Sequence, residues 1–268
     1  MSASGDYVAP SGASESRRRK PAVRRLLSGA AGLIWPQRSL ISGREVAGPG
    51  AIEPELWAKL RFLSAPLCVR CGAPFDLPAG AVDGEAQVCG ACLARPPAYD
   101  RARAAVYGEV SRDLVLALKR QGRCDGLAMM ARWMLQAGGP LVAEADLLVP
   151  APLHYIRLAR RGFNQSVWLC AGLGRLGGAR VGVDVLKRVR RTPSQAGLSP
   201  DGRRRNVQGA FRVRRKASVS GRRVLLVDDV FTTGATVEAC ARELKKAGAV
   251  CVDVLTLARV AGPRSIPI

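Results

Sequence analysis

Along this chain of 268 residues the apolar positions gather into short runs, divided by glycine-rich or strongly polar connections. The most continuous run is VLLV at 224–227, the pattern of a strand covered on both faces in a parallel sheet. Two carboxylates follow, Asp228 and Asp229, then Val230, Phe231 and a loop of small and hydroxyl residues, Thr232, Thr233, Gly234, Ala235 and Thr236. Apolar spacing predicts a helix over 236–247, with Val237, Cys240 and Leu244 on one face and Gly248 as its stop. Upstream, 102–107 and 147–149 predict strands, and 111–121 and 127–136 predict helices, the second ended by a GGP break at Gly138. Another helix is predicted to open among Arg157, Arg160, Arg161, Gly162, Phe163, Asn164 and Gln165 and to run through Leu173. Strands are further predicted over 183–190 and 250–257. Strands alternating with helices predict an α/β fold with a parallel, doubly wound sheet. Its ligand belongs at the carboxyl ends of the strands, where Asp228 lies.

The segment before residue 100 follows a different logic. Cys68-x-x-Cys71-Gly72 and Cys89-x-x-Cys92 are two thiol pairs separated by 17 residues, the spacing of a four-cysteine zinc ribbon. Disulfides are the rival reading, disfavoured in a reducing compartment. Ser39-x-x-Ser42-Gly43, followed by Glu53 and Leu56, echoes that spacing without the sulfur. It reads as a knuckle that has lost its ligands, with coincidence as the alternative. Cys124, Cys170, Cys240 and Cys251 sit in or beside apolar stretches and read as core residues.

Composition adds a strong charge. With 42 Lys and Arg against 21 Asp and Glu, the formal net charge is +21, which points to polyanions, nucleic acid first and phosphorylated small molecules second. Residues 1–32 form a basic arm with RRRKPAVRR at 17–25, read as disordered. The apolar stretch 26–35 imitates a secretion signal but lies far from Met1, and no stretch approaches a membrane span; the expected location is cytoplasmic. Between Lys187 and Arg223 stand thirteen Lys or Arg and one acid, Asp201. Within that region TPSQAGLSPDGRRRN, 192–206, is too long and polar for a simple connection and predicts a lid.

The chemistry of 224–236 can be read from its parts. A strand–loop–helix presents backbone N–H groups and the positive end of a helix dipole to an anion such as phosphate. Threonine hydroxyls add donors, and no GxxxxGK[ST] is present, so this is not a Walker loop. Two carboxylates beside such a cradle suit the vicinal hydroxyls of a ribose. The stretch resembles the phosphoribosyl-pyrophosphate (PRPP) signature of type I phosphoribosyltransferases; a buried strand ending in a polar turn is the plain alternative. His154, in VPAPLH, is either a general base or a structural turn residue.

Taken together, CVRCGAPF with CGAC, VPAPLH followed by RRGFNQS, TPSQAGLSPDGRRRNVQGAF and VLLVDDVFTTGAT resemble the ComF family, the ComFC-type proteins of natural competence. The resemblance implies a type I phosphoribosyltransferase-like parallel sheet flanked by helices over 100–268, after an N-terminal zinc-ribbon module over 33–99. It implies that Cys68, Cys71, Cys89 and Cys92 hold structural Zn2+, and that many relatives carry cysteines at the Ser39, Ser42, Glu53 and Leu56 positions. Asp228 and Asp229 would hold the ribose hydroxyls, with Val230 and Phe231 leading into the phosphate loop of Thr232, Thr233, Gly234, Ala235 and Thr236. Arg161 and Gly162 would lie at the pyrophosphate, which arrives with Mg2+, and Arg161 and Arg204 are the candidates for catalysis. The chemistry would be loss of pyrophosphate from a ribose C1 through a cation-like transition state, under a closed lid. The family also implies single-stranded DNA as a partner in uptake, together with a competence helicase or another DNA-uptake protein.

Two other function classes stay open at this point: a metabolic phosphoribosyltransferase acting on a nucleobase or amine, and a non-catalytic PRPP-sensing regulator that binds nucleic acid. For DNA, Arg203, Arg204 and Arg205, with Arg190 and Arg191, are the expected contacts, three of them adjacent on a mobile loop. Weak sequence preference is expected, because no clustered aromatic platform shows in the sequence.

Overall fold

A computed structural model describes residues 38–39, 41–46, 48, 51–75, 87–121, 126–192, 197–214 and 218–260. The basic arm over 1–32, the apolar stretch 26–35, Cys124 and lid residues 193–196 lie outside them. The chain begins with α1 (Pro54–Trp57), β1 (Arg61–Phe62) and α2 (Gly90–Ala94). Next come β2 (Ala102–Tyr107), α3 (Glu109–Gln121), α4 (Leu127–Ala143), β3 (Leu147–Pro150), α5 (Tyr155–Arg161) and α6 (Gln165–Gly177). The remainder is β4 (Leu186–Arg188), α7 (Pro200–Val207), β5 (Phe211–Val213), β6 (Arg223–Phe231), α8 (Ala235–Lys246) and β7 (Cys251–Arg259).

Five strands form one sheet in the order β1-β2-β7-β6-β3. β2, β7, β6 and β3 are parallel, and the two-residue β1 closes one edge antiparallel to β2. Parallel strands buried on both faces need two apolar layers, and the alternation of β6 supplies both. Val224 and Leu226 enter a core with Val237, Cys240 and Leu244 of α8, which Phe231 joins outside that alternation. Leu225 and Val227 enter the other with Met130 and Met134 of α4 and Leu169 and Leu173 of α6. This is the type I phosphoribosyltransferase fold, a mostly parallel sheet flanked by helices.

Several elements differ from the sequence expectation. β6 does not end at Val227 but runs to Phe231, because its partner β7 continues alongside it and pairs Phe231 with Arg259. The GGP segment kinks α4 rather than ending it: Gly138 leaves helical dihedrals (φ −133°, ψ 25°) and the helix resumes to Ala143. The helix expected through Leu173 is two helices, each started by its own side-chain cap, His154 for α5 and Asn164 for α6. The strand expected over 183–190 shortens to β4, which pairs with β5 in a separate two-stranded sheet. Within the lid, Ser199 caps α7 through the Gly202 N–H (3.1 Å), so Arg203, Arg204 and Arg205 stand on a helix and not on a loop. Cys170 and Cys240 are buried as expected, whereas Cys251 is half-buried. Among the described residues no helix is long and apolar enough to cross a membrane.

Candidate ligand site and metal centre

The end of β6 gathers the polar groups of the site. Asp229 is buried and Asp228 half-buried. Asp228 accepts hydrogen bonds at Oδ1 from the Ser166 hydroxyl (2.9 Å) and from the Asp229 N–H (2.9 Å). Ser166 opens α6, where Asn164 accepts its N–H (3.1 Å) and donates Nδ2–H to the Ala151 carbonyl (3.0 Å). One cap therefore ties the end of β3, the start of α6 and the first carboxylate into a fixed unit. Sequence reasoning passed over Ser166; its signal was its place in RRGFNQS, 62 residues before its partner.

The loop after β6 is short and tightly packed. Phe231 and Ala235 are buried, while Val230, Thr232 and Thr236 are half-buried. Gly234 is the N-cap of α8 at φ 74°, and a Cβ there would lie 2.8 Å from Phe231 Cζ, so the turn admits only glycine. Thr233 Oγ1 is buried and has no hydrogen-bond partner among the described residues, as is Gln165 Nε2 at the start of α6. Buried polar atoms of this kind call for a partner.

The arginines distribute differently. The backbone of Arg161 ends α5 and Gly162 caps it at φ 77°; the Arg161 side chain lies outside the described residues. Arg203 donates Nε–H to the Leu198 carbonyl (3.1 Å) and Arg204 pairs with Asp201 (2.8 Å), while Arg205 is exposed. On a helix, consecutive residues point about 100° apart, so the three do not form one strip. Arg190 spans to the carbonyls of Asn206 and Gln208 (3.1 and 2.5 Å), and Arg191 is exposed. His154 is buried, accepts the Ile156 N–H at Nδ1 (3.3 Å) and stacks on Tyr155 at 4.3 Å, a capping role.

The four cysteines of the ribbon converge. Sγ of Cys68, Cys71, Cys89 and Cys92 all lie within 4.8 Å of one another, a donor set that could hold one metal ion. Hydrogen bonding from Cys71 outweighs burial and holds the Cys68 thiol low, while the same hydrogen bond and burial push the Cys71 thiol up and burial pushes that of Cys92 up to about 12. The knuckle lies hard against the sheet: the Ala102 N–H donates to the Arg70 carbonyl (2.7 Å), and a Cβ on Gly72 (φ 67°) would sit 2.4 Å from the Ala102 carbonyl oxygen. Arg259 of β7 donates to the Cys71 carbonyl (2.6 Å) and lies 4.5 Å over the Phe231 ring.

The serine echo is the same turn. Cys68 N–H bonds the Ala73 carbonyl and Gly72 N–H the Cys68 carbonyl; five and four residues on from Ser39, the bonds Ser39 N–H to Arg44 and Gly43 N–H to Ser39 repeat them. Both glycines have positive φ, 76° and 67°. Glu53 stands at the N-cap of α1 as Cys89 stands at that of α2. In place of sulfurs, the buried Glu53 carboxylate accepts from Ser39 Oγ (2.6 Å) and from Ser42 Oγ. A carboxylate with two hydroxyls thus crosslinks one copy of the ribbon, and four thiols line the other.

Comparison with known proteins places this architecture. Residues 159–265 match the phosphoribosyl transferase domain. The chain is 37% identical over 202 residues to DNA utilization protein YhgH of Salmonella typhi, covering 72% of this chain and 84% of that one. It is 31% identical over 205 residues to competence protein F of Haemophilus influenzae, covering 73% and 86%. The chain belongs to the ComF family. Among solved structures, the allosteric regulatory enzyme of purine biosynthesis is similar at 21% identity and a TM-score of 0.34, over 50% of this chain and 27% of that one.

The Glu53 crosslink carries a pH signature. Burial raises the Glu53 pKa, but hydrogen bonds from Ser39 and Ser42 together outweigh it and leave the carboxyl below its usual value. A depressed folded-state pKa stabilises the fold above the unfolded value and ceases to do so as pH falls through the folded value. Glu53→Gln should therefore lower thermal stability at pH 7, by about 1–3 kcal/mol for a lost buried acceptor. The gap to the unaltered protein should narrow as pH falls below the carboxylate range. A gap independent of pH in calorimetric melts would contradict the crosslink.

Proposed function

We propose that this ComF-family protein binds PRPP with magnesium at the end of β6, carries zinc in the four-cysteine ribbon, and binds single-stranded DNA in DNA uptake. The observation that carries the PRPP reading is the buried, partnerless Thr233 Oγ1, one residue before the α8 cap and four beyond Asp229. A phosphate oxygen supplies the acceptor that this hydroxyl lacks, beside the positive end of a helix. In this reading Asp228 and Asp229 accept from the ribose hydroxyls, and the 232–236 loop takes the 5′-phosphate. The Ser166 hydroxyl holds Asp228 in orientation. Arg161 and Gly162 face the pyrophosphate, and Arg204 sits on the helix of the lid. Magnesium, when bound with the substrate, screens the pyrophosphate charge. Water exclusion falls to the lid, and orientation of C1 to the carboxylate pair.

Zinc fits the ribbon on its donors. Tetrahedral zinc with Zn–S bonds of about 2.3 Å places sulfurs about 3.8 Å apart, and Cys71 and Cys89 Sγ lie 3.7 Å apart. DNA is supported by the +21 charge and by the names its relatives bear, DNA utilization protein and competence protein F.

Three measurements test these assignments. Calorimetry should show PRPP and magnesium binding that falls at least about 100-fold in Asp228→Asn/Asp229→Asn, since two charge-assisted hydrogen bonds are lost; equal affinity would assign the carboxylates to the fold alone. Metal analysis should find one zinc per chain, lost in Cys68→Ser, and full occupancy in that variant would overturn the ligand set. Affinity for single-stranded DNA should fall with salt at a slope of roughly −0.7 per phosphate contact, and a flat salt profile would remove the electrostatic basis for DNA as partner.

A further inference from the structure

Where β1 closes the sheet, three aromatic rings meet. Trp57 and Phe62 stand 5.8 Å apart and rest on Trp133 of α4 at 5.6 and 5.3 Å. Trp133 is buried, but Trp57 and Phe62 keep 47% and 42% of their surface exposed. The sequence hides this grouping, because Trp133 lies more than seventy positions away and the two others flank an ordinary-looking turn. Lys59 and Arg61, between the two exposed rings in sequence, are themselves exposed and form no ion pair among the described residues. Arg132, beside Trp133, is exposed as well, and Glu55 is the single acid between Pro54 and Phe62.

We propose that this ledge is a base-stacking platform for single-stranded DNA, a site that rests on the DNA reading above and gives it a location. Two half-exposed rings braced by a third present rigid π faces, and the exposed Lys59 and Arg61 between them in sequence, without an ion pair among the described residues, suit a phosphate backbone. A face built for a folded protein partner would set its aromatics in an apolar, charge-depleted centre; here two exposed cations, Lys59 and Arg61, stand between the rings in sequence. Position adds to the argument. Arg61 pairs with Tyr107, Tyr107 with Arg259, and Arg259 with Phe231, one row across the carboxyl end of the sheet. Three strand spacings of about 4.8 Å separate the platform from the end of β6, about 14 Å. A strand held by its bases on Trp57 and Phe62 therefore lies along the same rim as the phosphate loop. The fold thus gathers three aromatic rings where the sequence showed no cluster.

The test uses the full chain and two labelled oligonucleotides of equal length, a thymidine homopolymer and an abasic phosphodiester strand, followed by fluorescence anisotropy at fixed salt. The unaltered protein should bind the strand with bases more tightly. Trp57→Leu/Phe62→Leu, which keeps apolar packing on Trp133, should lower affinity for that strand roughly 30-fold or more and leave the abasic strand unchanged. Lys59→Gln/Arg61→Gln should weaken both strands and reduce the salt slope by about 0.7 per charge removed. Equal binding of the two strands by the unaltered protein, or full base preference retained by the leucine variant, overturns the platform while DNA binding stands, and leaves the ledge to a protein partner. Binding of neither strand overturns the platform and the DNA reading together.

Discussion

The constraint on which the molecule depends is the burial of β6 on both faces between two parallel neighbours. Leu225, Leu226 and Val227 are fully buried, and successive side chains enter opposite cores, so the strand cannot shift by a residue without emptying both. That fixed register delivers Asp228 and Asp229 to the rim of the sheet. It also sets where the chain must turn, and the left-handed Gly234, closed off by the Phe231 ring, makes the turn. The position of the site thus follows from core packing, while the Ser166 hydroxyl fixes the orientation of Asp228.

The ribbon is joined to this frame at several places, Arg103 of β2 donating to the Cys68 and Val69 carbonyls among them. Gly72 lies against the Ala102 carbonyl, and Arg259 reaches from the end of β7 to the Cys71 carbonyl while covering Phe231. Phe231 in turn closes the Gly234 turn, so the stacked Arg259 and Phe231 link the sulfur cluster to the loop. The duplicated ribbon shows two solutions to one problem. A knuckle turn too small to have a core of its own needs a crosslink: one copy offers four thiols to a metal, and the other uses a carboxylate that accepts from two hydroxyls.

Much of this was legible in the residues. The VLLV run, the acidic pair and the TTG loop carried the central strand and the polar turn that follows it, and the cysteine spacing carried the convergent thiols. Ser39-x-x-Ser42-Gly43 showed the echo of the knuckle, since a turn geometry is written in local spacing. What stayed hidden depended on distant pairing. The length of β6 was set by β7, the orientation of Asp228 by Ser166, and the crosslink by Glu53. The aromatic ledge was assembled from Trp57, Phe62 and Trp133 only by the fold. The segment 192–206 was recognisable as long and polar, but its helix rests on a single cap, Ser199, inside a stretch of low apolar content.

The central claim is that the loop after β6 is a phosphate cradle for PRPP. Hydrogen–deuterium exchange on the full chain, with and without PRPP and magnesium, reads that loop directly. Its amides over 232–236 should slow markedly with ligand, together with the start of α6, while the sheet interior stays unchanged. Unaltered exchange across 232–236 at a PRPP concentration that saturates the protein by calorimetry would place the ligand elsewhere and contradict the account.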